Sequence, residues 1–295
     1  MTRKLEIIVA NPAGNTTILV LTPTEISDYQ EIASKLLRID FGKDYGVRFS
    51  VPDSDSILGE QVCFILPYDE NSGEPPSMDM CGLEFCGNAS RAFAYYRVVC
   101  CKDGKLQPTG TKKLHIRVSG CDYPLTALVD EQNRSCKVQM PAPVNIIQFS
   151  PEELGIHEEN PDLETCFLID LEGISHLVLK NIEASREKFD RIKNYVYQKC
   201  GNMEAFGITF INGNDMTPVV YVRDIDTTCF EGSCASGTTA AAVSSTLDKP
   251  NGLYKYTFRQ PAGQLDAIVN KSAGKIDSIE LDGLVELSDI ISIEI

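Results

Sequence analysis

Two cysteines, Cys86 and Cys234, stand about half a chain apart, each just before an alanine-rich run. The first lies in GLEFCGNASRAFAYY and the second in CFEGSCASGTTAAAVSS. In both, small residues let the backbone turn tightly and then enter a helix. A helix start exposes unpaired N–H groups and a partial positive charge. A thiol placed there loses its proton more readily. A carboxylate docked there is also stabilised, as is the extra negative charge that appears when the carbon beside it is deprotonated. An amino acid held between two such sites has what inversion of its α-carbon needs. One cysteine as thiolate takes the α-hydrogen and the other as thiol reprotonates the opposite face, with no cofactor.

The same residues admit three other readings. Both cysteines could be buried packing residues, since free cysteine behaves as a small hydrophobe. Cys81 with Cys86 and Cys229 with Cys234 form two matched x4 pairs, and four thiolates could hold zinc. Glycine, alanine and small polar residues running into helices are not typical of zinc knuckles, and no metal site is expected. A cysteine nucleophile with a histidine partner is the third. Only three histidines are present, none with a signature around it, and a second matched thiol would be unexplained.

The elements around the thiols repeat. LEIIVA and TTILVL read as a hairpin about the turn NPAGN. Thr22-Pro23-Thr24-Glu25 reads as a capping box, and Ile26, Tyr29, Ala33 and Leu36 as the buried face of the helix it starts. The strand QVCFILP and the polar turn NSGEPPS lead to the first thiol. In the second half HLVLK is a strand, a helix runs from about Ile182 to Cys200 on Phe189, Ile192 and Val196, and the strands AFGITFI and PVVYVRDI precede the second thiol. Strand, helix, strands, thiol, helix occurs twice, as in a duplicated αβ unit. The expected boundary lies near Glu131–Arg134, before CKVQMP, with HEENPDLE and DKPNG as surface connections.

The 295 residues suffice for two domains. With 43% hydrophobic and 23% charged residues the composition is that of an ordinary globular protein. A net charge of −15 argues against a nucleic-acid partner, which needs clustered Lys and Arg. No apolar run approaches the ~20 residues of a membrane helix, so no membrane partner is expected. MTRKLEIIVANP reads as a first strand and not a signal peptide. The eleven cysteines, an odd count, fit a reducing cytoplasm. Most, such as Cys100, Cys101, Cys121 and Cys136, are expected to be inert.

At these motifs the chain resembles the diaminopimelate epimerase superfamily, the pyridoxal-independent two-cysteine amino-acid racemases. FCGNASRA is similar to that family's first-cysteine motif and SCASGTTAA to its second. The resemblance extends to NPAGN, to the histidine of GISHLVL and to Glu231, and so spans nearly the whole chain. It implies an α/β fold of α+β type with two pseudo-symmetric domains, each a curved, mostly antiparallel sheet wrapped round a central helix. The first would span residues 1–132 plus a C-terminal strand at about 284–295, the second residues 133–283, with the active site in the cleft between them. By correspondence of motif Cys86 and Cys234 are the acid–base pair. The backbone N–H groups of Gly87, Asn88, Ala235 and Ser236 hold the substrate carboxylate, Glu231 accepts from the α-ammonium, and Asn15 lines the pocket. A pocket role is also implied for His176, which could otherwise be a packed structural residue, as Asn15 could be a plain turn residue. A homodimer is implied as well.

Departures narrow the substrate. Diaminopimelate epimerases carry Arg where this chain has Gly232, Asn where it has Ile174, and another Asn at the place of Gly207 or Ile208. Without those groups a second charged head group would be left unpaired, which is costly in a closed site. NPAGNTTILV, GEQVCFIL and LEFCGN resemble instead the histidine racemase branch, including enzymes that supply D-histidine for opine-type metallophores. There the glutamate at the place of Glu60 contacts the imidazole, whose N–H a carboxylate can accept. A solvated residue at a strand start remains the other reading of Glu60. Racemisation or epimerisation of another amino acid, such as diaminopimelate, lanthionine or a proline derivative, and a non-catalytic amino-acid-binding or zinc-stabilised protein, remain the alternatives.

Overall fold

A computed structural model describes residues 3–50, 54–163, 165–224 and 226–295. The last residues of HEENPDLE and of PVVYVRDI lie outside them. The chain forms two compact units: residues 1–139 with 282–295, and residues 140–281.

In the first unit β1 (Lys4–Asn11) turns back through NPAGN into β2 (Thr17–Val20). Ala13 and Gly14 take left-handed backbone in this turn, at φ 61° and 92°, and Asn11 Oδ1 accepts from the Gly14 N–H. A 3-10 turn at Ile26–Asp28 and helix α1 (Tyr29–Leu36) follow, so the helix starts later than the capping-box reading places it. Thr22 is not its cap, because its hydroxyl accepts from the Glu6 N–H at 2.8 Å and ties the end of the hairpin instead. The buried face is Tyr29, Ile32, Ala33 and Leu36, while Ile26 is exposed. A short helix, α2 (Phe41–Tyr45), was not legible in the sequence. It is capped by Asp40, whose side chain accepts from the Lys43 N–H.

Strand β3 (Gln61–Ile65) then lies parallel to β2, and β4 (Ser77–Met80) antiparallel to β3. The first thiol helix, α3 (Gly87–Val99), leads to β5 (Lys105–Leu106), β6 (Lys112–Val118), β7 (Leu125–Asp130) and β8 (Ser135–Met140). β6 runs parallel to β4, and β6, β7 and β8 are antiparallel neighbours. The strand expected to open the second domain therefore pairs into the first unit. The C-terminal strands Glu286–Leu287 and Ile291–Glu294 close this sheet on β1. Helix α3 packs against β2, β6 and β7 and is buried on almost every face.

The second unit repeats the order. β9 (Asn145–Phe149), β10 (Cys166–Leu171) and β11 (Ile174–Lys180) are antiparallel. Helix α4 (Arg186–Cys200) starts at Ser185, whose hydroxyl accepts from the Lys188 N–H, and buries Phe189, Ile192 and Val196. It returns the chain to β12 (Ala205–Asn212), parallel to β11 as β3 is to β2. β13 (Asp215–Val222) pairs antiparallel with β12 and with β14 (Thr227–Phe230). Helix α5 (Ala235–Ser244) follows, then β15 (Gly252–Gln260), β16 (Gly263–Ser272) and β17 (Lys275–Asp282). α5 packs against β10, β11, β12 and β16. Each unit thus buries one helix on almost every face, and that helix has the cysteine at its start.

Candidate active site

Cys86 is the N-cap of α3, with extended backbone and a sulfur that accepts from the Ala89 N–H at 3.4 Å. Its carbonyl accepts from the Ser90 N–H and the Ser90 hydroxyl. The segment before it is fixed from β6 onward. The Ser119 hydroxyl donates to the Glu84 carbonyl at 2.9 Å and accepts from the Met80 N–H. Gly120 lies so close that a Cβ there would sit 2.3 Å from the Phe85 nitrogen, and its φ is +67°. Gly87 and Asn88 form the buried first turn of α3. Asn88 Oδ1 accepts from Arg91, whose guanidinium is fully buried and also donates to the Cys136 and Leu284 carbonyls, each at 2.9 Å.

Cys234 occupies the same place on α5, its sulfur accepting from the Gly237 N–H at 3.3 Å. A closed ring of hydrogen bonds holds its backbone. The Cys234 N–H donates to Gln260 Oε1 at 2.7 Å, Gln260 Nε2 donates to Thr238 Oγ1 at 3.0 Å, and Thr238 Oγ1 donates to the Cys234 carbonyl at 2.6 Å. Burial pushes the Cys234 thiol well above its ordinary value, and the Glu231 carboxylate, which hydrogen-bonds it, adds to the shift. The Ser236 hydroxyl, 3.4 Å from the sulfur, and the Gly237 N–H act in the other direction.

His176, on β11, is completely enclosed. Its Nε2 lies 2.8 Å from Ser236 Oγ and its Nδ1 3.5 Å from Thr209 Oγ1. Burial brings its pKa down to about 3, so the ring is neutral. Gly207 makes the room for it, because a Cβ there would stand 2.2 Å from Nδ1. The imidazole thus fills the space that a side chain at Gly207 would need. Ile174, the other departure on these two strands, lines a cleft of about 370 Å³ with Asp170, Ser175 and Glu204.

In the first unit Asn15 is buried and donates through Nδ2 to Glu60 Oε2 at 3.1 Å. Its Oδ1 is buried with no hydrogen-bond partner. Glu60 reaches the surface, yet the protein packed about its carboxyl raises its pKa against the lowering by the Thr16 backbone and the Asn15 amide. Thus Ala235, Ser236, Glu231 and His176 gather about Cys234, and Gly87 and Asn88 about Cys86, while Asn15 and Glu60 form a separate pair. The sequence reading missed Arg91, Ser119, Gly120, Thr209, Thr238 and Gln260 as parts of these arrangements. Only Gly120 carried a local signal, as a turn glycine.

Of the remaining thiols Cys63, Cys136 and Cys166 are buried packing residues, Cys81, Cys101 and Cys121 are half-buried, and Cys100, Cys200 and Cys229 are exposed. Burial pushes Cys81 up to about 11 and Cys136 and Cys166 to about 12, and Cys63 well above its ordinary value. All eleven cysteines are free. Among the described residues no three His, Cys, Asp or Glu side chains converge as metal ligands, and no helix is long and apolar enough to cross a membrane.

The paired sheet-and-helix units have the fold of the diaminopimelate epimerase-like racemases and epimerases. A hydroxyproline epimerase from Agrobacterium vitis superposes with a TM-score of 0.61 over 99% of this chain and 93% of its own, at 9% identity. Within that fold the chain belongs to the histidine racemase family, since residues 4–290 match the family described as histidine racemase CntK N-terminal domain. A histidine racemase of Fusobacterium nucleatum is 32% identical over 96% of this chain and 94% of its own length. One from Staphylococcus aureus is 25% identical over 86% and 85%.

Proposed function

We propose that this protein interconverts L- and D-histidine without a cofactor, using Cys86 and Cys234 as its two acid–base groups. The observation that carries the reading is the repeated placement of a thiol as N-cap of the buried helix of each unit, each sulfur facing a backbone N–H. One cysteine, as thiolate, takes the α-proton, and the other, as thiol, returns a proton to the opposite face. The N–H groups of Gly87, Asn88, Ala235 and Ser236 hold the carboxylate as it becomes enediolate-like, the interaction that strengthens most in the transition state. Glu231 takes the α-ammonium. That pairing also offsets the negative charge that raises the Cys234 thiol, so a bound substrate eases its ionisation. Glu60, steadied by Asn15, accepts the imidazole N–H. The free thiols fit a reducing cytoplasm, and the family resemblance fits a homodimer.

The test is L-histidine incubated with the protein in D2O. The α-carbon should gain deuterium and D-histidine should appear. No exchange with histidine or any other amino acid overturns the enzyme reading. Cys86→Ser and Cys234→Ser should each abolish racemisation, and full activity in either overturns the two-thiol mechanism.

A further inference from the structure

We infer that Thr209, His176 and Ser236 form a directed hydrogen-bond relay that fixes the imidazole tautomer and turns the Ser236 hydroxyl proton toward the Cys234 sulfur. The inference rests on the reading of Cys234 as an acid–base thiol. It makes His176 a positioning residue and Thr209 the group that sets its direction.

Each ring nitrogen of His176 has one side-chain neighbour, Ser236 Oγ at Nε2 and Thr209 Oγ1 at Nδ1. Both His176 and Thr209 are fully buried. A neutral imidazole carries one N–H, so it donates at one nitrogen and accepts at the other. Two directions are open. In the first, Thr209 O–H donates to Nδ1, Nε2–H donates to Ser236 Oγ, and Ser236 O–H is left for the sulfur 3.4 Å away. In the second, Nδ1–H donates to Thr209, Ser236 O–H donates to Nε2, and the sulfur loses that donor.

The Thr209 hydroxyl decides between them. Its side-chain hydrogen-bond neighbour is the His176 nitrogen, so the second direction strands its buried proton without an acceptor, a costly arrangement. The Thr209 contact is the longest of the chain, and it acts through this polarity, not through its strength. Two glycines make the path possible. A Cβ at Gly237 would stand 3.0 Å from Thr209 Oγ1 and 3.2 Å from the Cys234 sulfur, and one at Gly207 would strike the ring. The titratable groups facing Cys234 are Glu231, which raises the thiol, and His176, which stays neutral. The relay adds a preset donor that favours the thiolate without adding charge.

Two measurements test it, neither of which needs histidine turnover. A long-range 1H–15N spectrum near neutral pH, assigned by the loss of one ring in His176→Gln, should show the Nε2–H tautomer of His176. The Nδ1–H tautomer overturns the relay. The pH dependence of iodoacetamide alkylation at Cys234, located by tandem mass spectrometry, should move upward by about one pH unit in Thr209→Val, a tenfold loss of thiolate at a given pH. Thr209→Ser should restore it. An unmoved profile in a folded Thr209→Val protein overturns the inference, and if that variant does not fold, the tautomer of the unaltered protein decides alone. Should both results hold while no histidine is racemised, the relay stands and the substrate reading falls.

Discussion

Asn15 Nδ2 donates to Glu60 Oε2 across 3.1 Å, while the same amide's Oδ1 lies buried and unpaired. Asn15 is thus held with one end on a carboxylate and the other end buried without a donor. Glu60 keeps access to solvent despite the packing that raises its carboxyl. A ligand with an N–H would meet the Glu60 carboxylate, already steadied by Asn15. Glu60→Gln should lower kcat/KM for histidine by roughly tenfold to a hundredfold, the worth of a hydrogen bond to a charged group. Initial rates of α-deuteration measure it, and an unchanged rate would remove Glu60 from the imidazole site.

The thiols were legible because their motif occurs twice, with the same small residues leading into a helix. The strand, helix, strand order was legible for the same reason, through alternation and helical spacing. What was not legible depends on contacts distant in sequence. Gln260 reaches Cys234 from the far side of a helix and a loop, and no local pattern marks it. A departure from a related pattern fell on Gly207 or Ile208, and what requires glycine at 207 is the imidazole ring against it. Thr22 misled because a hydroxyl followed by proline suits a cap as well as it suits the end of a hairpin. The tertiary hydrogen bond from Glu6 took it.

Gly207→Ala should destabilise the second unit. The new methyl would stand 2.2 Å from His176 Nδ1 and 2.4 Å from Cε1, and the sealed ring cannot retreat to solvent. Overpacking of this kind costs about 1–3 kcal/mol. The backbone of Gly207 is not left-handed, so the cost is steric. Urea unfolding measures it, and unchanged stability would show that the ring has room to move.

His176 should make the fold sensitive to mild acid. Its pKa is about 3 when folded, against about 6.5 when free. The unfolded chain therefore binds a proton that the folded chain refuses between those values. The contribution to stability is whole above pH 6.5 and is lost at about 1.4 kcal/mol per pH unit as pH falls toward 3. Between pH 7 and 5.5 the unaltered protein should lose about 1 kcal/mol more than His176→Gln, read from urea midpoints. Equal losses would mean that the ring is protonated in the native state.

Gln260→Leu should break the ring behind Cys234. The Cys234 N–H and the Thr238 hydroxyl would each lose their Gln260 partner in a buried place. A stranded buried group costs about 1–3 kcal/mol. The second thiol's backbone would be freed as well, so histidine exchange should fall further than the stability loss explains. Retention of both stability and exchange would show that the helix start holds Cys234 without this clamp.

Arg91 offers the sharpest test of what holds the first thiol helix. Its guanidinium joins three places: Asn88 in the first turn of α3, Cys136 on β8, and Leu284 in the C-terminal segment. Burial pulls its pKa below the usual arginine value, but a guanidinium stays charged at any ordinary pH. Replacing a buried charge with an apolar chain is often neutral when its partner leaves too. Here the partners are neutral carbonyl oxygens that stay, so Arg91→Met should cost about 1–3 kcal/mol for each acceptor left buried and unsatisfied. Arg91→Lys should not rescue it, because a single ammonium lacks the planar fork that reaches three acceptors. Chemical denaturation of both variants measures the cost. Full stability in Arg91→Lys would show that the charge, and not the fork, is what this helix start requires.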